Sequence, residues 1–270
     1  MFRSWAAFLP ARLGVGSVLA AGLLAALVSP LSSAAPPPDP SSPNLGAAAV
    51  PPSDTPVSSA VAAPGALSWT AQFTLQPLTG RHIGLQIGHF AAAELPAELA
   101  DLRPNGGAVD GEFKELDVNY AVTVRAATLL RTAGATVDVL PATVPHGYHA
   151  DAFVAIHADQ DPRGHARGFK ITGSPFAAAA SGPLASALGA EYQALSGLPV
   201  DARPTAVTPA MRLYYAFNFR KFQHAVAPST PAAIIEMGFI SDPADRNLLF
   251  NQPDRAAAAI AAGVDGFLSE

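Results

Sequence analysis

Residues 152–159 read AFVAIHAD: five apolar residues in a row that run into His157. An unbroken apolar run of this length, with aromatic and β-branched members, fits a strand buried on both faces. The pattern recurs twice. Residues 83–87 (IGLQI) run into Gly88-His89, and residues 232–235 (AAII) run into Glu236. Two further strand-like runs are 135–140 (ATVDVL) and 168–172.

Helical patterns fill the intervals. From Leu116 to Thr132, Val118, Ala121, Val122, Leu129 and Leu130 can share one face, and Gly134 stops the helix. Residues 183–195, 244–250 and 254–268 read as three more helices. Strands alternating with helices predict an α/β domain. The sheet is expected to be mainly parallel and twisted, with helices on both faces of a single catalytic domain. In such sheets, ligand sites gather at the carboxyl ends of the strands. His89, His157 and Glu236 each end a strand-like run, and Glu115 opens a helix, so the four groups are expected at one sheet edge.

Outside this domain the composition changes. Arg3 and Arg12 flank the start of an uncharged, largely apolar run from Leu13 to Val28, which small residues at Ser32 to Ala35 follow. The run is shorter than the about 20 residues a spanning helix needs. Residues 1–34 therefore read as a signal peptide, with a retained N-terminal anchor as the alternative. Residues 35–65 carry PPPDPSSP and PPSDTP and read as an extended linker that cannot bury enough apolar surface to fold. The domain is expected from 66 to 270. An exported protein follows, placed outside the cell, at the cell wall or in the periplasm, with a membrane tether through the N-terminal segment if the anchor is kept.

The chain has 270 residues, a net charge of −5 and no cysteine. With no run of five or more basic residues, nucleic acid is excluded as an expected partner. The lack of cysteine removes disulfides, thiol nucleophiles and thiolate metal sites, so any zinc site must use histidine and carboxylate. His89, Glu115 and His157 make up the two-histidine, one-carboxylate set common in catalytic zinc sites. Glu236 follows an apolar run, where an ionisable group is costly unless it is paired or functional. It is the expected acid–base group. No HExxH motif is present, and the alternative is that His89 and His157 are ordinary strand-end histidines.

Four stretches together resemble the zinc-dependent N-acetylmuramoyl-L-alanine amidases of the Amidase_3 family. They are IGHF at 87–90, ELDVNYAVTVRAATLLRTAGATVDVLP at 115–141, FVAIHAD at 153–159 and PAAIIEMGFISDPADRNLL at 231–249. The resemblance implies a Zn2+ ion held by His89, Glu115 and His157, with Glu236 as the second catalytic carboxylate. It also implies a peptidoglycan substrate, cut at the amide between the muramoyl lactyl group and L-alanine. The alternatives are a zinc hydrolase for another amide, or a wall-binding module that keeps the fold without turnover.

The chain departs from the family's Asp-Pro-Gly-His-Gly, reading Gln86-Ile87-Gly88-His89-Phe90. The missing aspartate removes a group that orients the histidine, and Phe90 is expected to put a ring beside the metal. Residues 90–111 are expected to reshape or cover the cleft. Glu112 is the alternative ligand to Glu115. His82, His146, His149, His165 and His224 are expected away from the metal. Asp159 either orients His157 or caps a loop. Arg220 and Lys221 are expected on a solvated helix face, with a substrate carboxylate as the alternative contact. Tyr214, Tyr215, Phe217 and Phe219 read as packing, with one of them lining the cleft as the alternative, and Asn119 as a structural hydrogen-bonding residue.

Overall fold

The computed structural model describes residues 73–270. The expected signal segment, the linker and residues 66–72 lie outside the described residues. Within them the chain forms strand β1 (His82–Ile87), a short hairpin of β2 (Val109–Asp110) and β3 (Phe113–Lys114), helix α1 (Glu115–Thr132) and β4 (Thr136–Leu140). It continues through β5 (Ala152–Asp159), β6 (Lys170–Gly173), α2 (Ser181–Ser196), a four-residue helix α3 (Pro209–Arg212), β7 (Ala232–Phe239), α4 (Pro243–Asn251) and α5 (Pro253–Ser269).

The main sheet has five strands in the order β4-β1-β5-β7-β6. The first four run parallel, and β6 pairs antiparallel with β7 at one edge. The expected mainly parallel α/β architecture is therefore present. The two faces are covered unequally. Ile83, Leu85, Val154, Ile156, Ala233 and Ile235 point to one face, where α1, α2 and α5 pack in a single apolar cluster. Alanine-rich α5 lets both other helices approach closely. Phe153, Ala155, Ala232 and Ile234 point to the other face, under α3 and the 3-10 turns Ala92–Glu94, Ala97–Leu102 and Tyr215–Phe217. Each fully buried leucine or isoleucine contributes about 1.5–3 kcal/mol.

Two strands outrun the sequence expectation. β5 continues through His157 to Asp159, and β7 through Glu236 to Phe239. Both polar residues therefore lie inside the ladder rather than after it. The pairing His157↔Glu236↔Lys170 carries the sheet across them. Side chains alternate along a strand, so His157 and Glu236 share the face of Phe153, Ala155 and Ile234. Beyond Glu236, the buried carboxylate of Asp245 accepts from Phe239 N at 2.9 Å and Gly168 N at 2.6 Å, which ties down the end of β7. Among the described residues, no helix is long and apolar enough to cross a membrane.

Candidate metal centre and cleft

Glu115 is the first residue of α1, delivered by the β2–β3 hairpin. It is 4% exposed and held from several sides. Oε2 accepts from Ala108 N at 2.8 Å. Oε1 accepts from Asn119 Nδ2 at 3.1 Å and Ala158 N at 3.3 Å. Asn119 also donates to Gly88 O, which makes it the structural hydrogen-bonding residue expected.

His89 Nε2 lies 3.2 Å from Glu115 Oε1, and His157 Nδ1 lies 3.0 Å from the same oxygen. The two imidazoles stand edge to face, with centroids 4.9 Å apart. Gly88 permits this approach, because a Cβ there would come within 2.5 Å of His157 Cε1. His89 itself is held at φ 64°. That conformation costs a non-glycine residue about 1–3 kcal/mol and persists only where the surroundings enforce it. They do so here through Ala92 N, which donates to His89 O, and through Asn105 O, 3.0 Å from His89 Nδ1.

Asn105 O can only accept, so His89 carries a proton on Nδ1. Its Nε2 therefore faces Glu115 either as a lone pair open to a cation or as the second N–H of an imidazolium that donates to the carboxylate. The ligand atoms of His89, Glu115 and His157 all lie within 4.8 Å of one another and can hold a metal ion. Donors about 2.0–2.2 Å from one tetrahedral ion sit roughly 3.3 Å apart, close to the 3.0 and 3.2 Å seen here. The electrostatics of the cluster favour an ionised carboxylate. Burial alone would raise the Glu115 carboxyl, but hydrogen bonds to His157 and His89 and their charges outweigh it and hold the group well below the usual range. Burial lowers His89, yet Glu115 and Asn105 more than compensate and leave it raised.

Glu236 faces the same cleft. The residue is half-buried, but Oε2 is fully enclosed and has no hydrogen-bond partner. Burial first, then the charges of Glu115 and Asp159, push its carboxyl well above the ordinary range; Lys170 opposes this only in part. Asp159 does not orient His157. It is paired with Lys170, which is 3% exposed.

The cleft has a volume of about 710 Å3. His89, His157, Glu236 and Tyr214 line it, with Leu95 and Leu99 among its apolar wall. Residues 90–111 thus build one wall of the cleft. Phe90 does not stand over the site; its ring packs on Tyr120, with centroids 5.8 Å apart. Lys221 lines the cleft from an irregular segment, not from a helix face. Glu112 is exposed and outside the ligand group, and the other five histidines are outside it too.

Two contributors go beyond what the sequence assigns. Tyr214 is one of the aromatics expected in packing or lining the cleft, and its hydroxyl lies 3.3 Å from His157 Nε2 and donates to Gln86 Oε1 at 2.8 Å. Gln86 is fully buried and makes no hydrogen bond to His89 among those described; its partners are Ala142, Tyr214 and Tyr215. An amide inside IGLQI must find partners once buried, and that was the available signal. Nothing local in the sequence pointed to Tyr214.

Comparison with known proteins gives the family. No curated protein matches the chain by sequence. Among solved structures, the N-acetylmuramyl-L-alanine amidase of Mycobacterium smegmatis aligns at 20% identity with a TM-score of 0.49, covering 72% of this chain and 99% of that one. The CwlD amidase of Clostridioides difficile, solved in complex with the GerS lipoprotein, aligns at 18% identity with a TM-score of 0.48, covering 70% and 99%. An N-acetylmuramoyl-L-alanine amidase of Nostoc punctiforme aligns at 18% identity with a TM-score of 0.48, covering 71% and 99%. The Amidase_3 family model, described as N-acetylmuramoyl-L-alanine amidase, matches residues 85–266. That match spans two-thirds of the length, and the chain belongs to the Amidase_3 family of N-acetylmuramoyl-L-alanine amidases.

Proposed function

We propose that the enzyme hydrolyses the amide between the N-acetylmuramoyl lactyl group and L-alanine in peptidoglycan, using a zinc ion held by His89, Glu115 and His157. The observation that carries this reading is the convergence of three ligand atoms within 4.8 Å, buried at the cleft. When bound, zinc supplies Lewis acidity to the scissile carbonyl and makes hydroxide available near neutral pH.

The rest of the chemistry falls to the chain. The Glu236 carboxyl lines the cleft without a hydrogen bond among those described, and its raised proton affinity suits one carboxyl to both taking and giving a proton. It accepts a proton from the attacking water and returns it to the leaving nitrogen. Water is thereby added across the amide, releasing a muramoyl carboxylate and the free amine of L-alanine. Leu95 and Leu99 exclude water from the cleft wall, while Glu98, Asp101 and Lys221 offer charges of both signs to a zwitterionic stem peptide. The substrate lies outside the cytoplasmic membrane, so this reading requires export; residues 1–34 are the segment that would direct it.

Elemental analysis of the purified protein, followed by mass analysis of products released from isolated cell walls, tests the proposal. One zinc per chain and intact stem peptides with free L-alanine N-termini are expected. A protein without zinc, or a Glu236→Ala variant that releases stem peptides at the parent rate, would overturn the mechanism. A full zinc load without wall release would move the assignment to another amide substrate.

A further inference from the structure

We infer that Lys221 is a specificity residue that binds the free α-carboxylate of the glutamate following L-alanine in the stem peptide. The inference rests on the amidase reading above and names the part of the substrate that this cleft selects.

The starting observation is a cation without a partner. From 202 to 235 the chain carries no aspartate or glutamate, although its net charge is −5. Within that span Lys221 lines the cleft, and among the described residues no other lysine or arginine does so. It is exposed and makes no ion pair among the described residues. The other charges along the wall do not compete for an anion. Glu98 accepts from Gln223 N at 3.0 Å, His224 N at 2.8 Å and His224 Nδ1 at 2.7 Å. Asp101, which also lines the cleft, repels an anion. A carboxylate entering the cleft therefore has Lys221 as its seat.

The segment that carries Lys221 is braced at both ends. Before it, Tyr215, Ala216 and Phe217 are buried in the core. After it, Gln223 and His224 are held by Glu98. Between them, Lys221 N donates to Asn218 O at 2.9 Å and closes a turn. The first and fourth residues of such a turn lie within about 7 Å of each other, and Asn218, with its amide donor, also lines the cleft. The Lys221 ammonium rests 4.8 Å from the centroid of the Phe222 ring. Ordering a lysine costs side-chain entropy, and this bracing lowers what the substrate must offset.

The reach also fits. In a stem peptide this glutamate is linked through its γ-carboxyl, which leaves the α-carboxyl outside the chain, either ionised or amidated. In an extended chain it lies about 7 Å from the scissile carbonyl. The cleft has a volume of about 710 Å3, about 9 Å on a side, and takes one small ligand. A substrate with its scissile carbonyl at the metal thus places this carboxylate in the volume that Lys221 borders. Carboxylates further along the stem fall beyond it.

Two synthetic muramoyl tripeptides test the inference. They differ only in whether the α-carboxyl of the second residue is free or amidated. On the zinc-loaded, full-length protein, kcat/KM should be about tenfold higher for the free acid, the low end for a hydrogen bond to a charged group because Lys221 is exposed. Lys221→Met keeps the aliphatic stem against Phe222 and should treat the two substrates alike. Lys221→Glu should prefer the amide. Arg220→Met removes the same charge from a neighbour that does not line the cleft and should keep the parent's preference. Calorimetry on a Glu236→Gln background, where turnover is slow, should show the same ratio in Kd. Circular dichroism confirms the fold of each variant. Equal rates on both substrates by the parent, or a Lys221→Met variant with the parent's preference, overturns the inference and leaves the amidase reading in place. An equal loss in Arg220→Met overturns it too, since the preference would then come from the general field of the protein. If the parent cleaves neither substrate, the amidase reading fails, and the Kd ratio still decides whether Lys221 binds the carboxylate.

Discussion

His157 and Glu236 stand opposite one another in register on the adjacent parallel strands β5 and β7, on the same face of the sheet. A candidate ligand histidine and a buried carboxyl are thus fixed by backbone pairing rather than by flexible loops. This gives the site its rigidity, and it divides the labour: the histidine is tied to Glu115, while the carboxyl has one oxygen without a partner.

Glu236→Gln keeps the shape of the side chain but removes its proton chemistry. Wall-release activity should drop by about 10^2- to 10^4-fold, the usual worth of general acid–base catalysis. Zinc content should stay at the parent level. The melting temperature should hold or rise, because a buried carboxyl crowded by Glu115 and Asp159 is replaced by a neutral amide. Calorimetry alongside the activity assay checks both expectations; a melting temperature several degrees lower would contradict this account of Glu236.

Gly88→Ala should damage the centre without touching a ligand. The new Cβ would lie 2.5–2.7 Å from three atoms of the His157 ring. Relieving such overpacking costs about 1–3 kcal/mol, and the ring that must move carries Nδ1. Zinc affinity by chelator competition should fall by about tenfold or more. Gly106→Ala, where nothing lies within 4 Å of the added carbon, is the control and should match the parent.

Removal of the metal should lower stability by mass action. At a free zinc concentration of about 1,000 times Kd, binding contributes roughly 4 kcal/mol, so a strong chelator should lower the melting temperature of the parent. Glu115→Ala should melt lower still and be insensitive to the chelator. It loses the metal and also leaves Ala108 N and Ala158 N without their acceptor, at about 1–3 kcal/mol for each unpaired buried group. A chelator effect on Glu115→Ala equal to that on the parent would count against the ligand assignment.

The wall of the cleft should respond to acid. Glu98 accepts from Gln223 N, His224 N and His224 Nδ1, and the two backbone bonds lead in lowering its carboxyl from 4.5 to about 2. A depressed carboxyl stabilises the fold fully above its ordinary value and loses that contribution as pH falls through the folded one. The melting-temperature gap between the parent and Glu98→Gln should therefore be constant above pH 4.5 and close between pH 4.5 and about 2. A gap that persists at pH 2 would show that Glu98 does not anchor this wall through its charge.

Much of the site was legible from local pattern. Apolar runs ending in His89, His157 and Glu236 marked strands, and the helix opening at Glu115 followed from its apolar periodicity. The charge of Glu236 after AAII marked it as a candidate, because burial of an unpaired carboxyl is costly. Gln86 was legible as a departure, but its partners were not. They come from Ala142, Tyr214 and Tyr215, the last two more than 100 residues away along the chain.

By itself, the sequence determined the α/β class, the four groups that converge, and the family. Each depends on short-range periodicity or on motifs that survive without knowledge of neighbours. Tertiary structure decided the rest. Parallel register put His157 opposite Glu236 inside the ladder, because strand pairing joins segments that local pattern cannot align. The fold of residues 90–111 delivered Asn105 O to His89, and the packing of Tyr215–Phe217 on the sheet delivered Tyr214 to His157. Hydrogen bonds to a metal ligand depend on angstrom-scale placement of distant loops, and that placement is set only when the core closes.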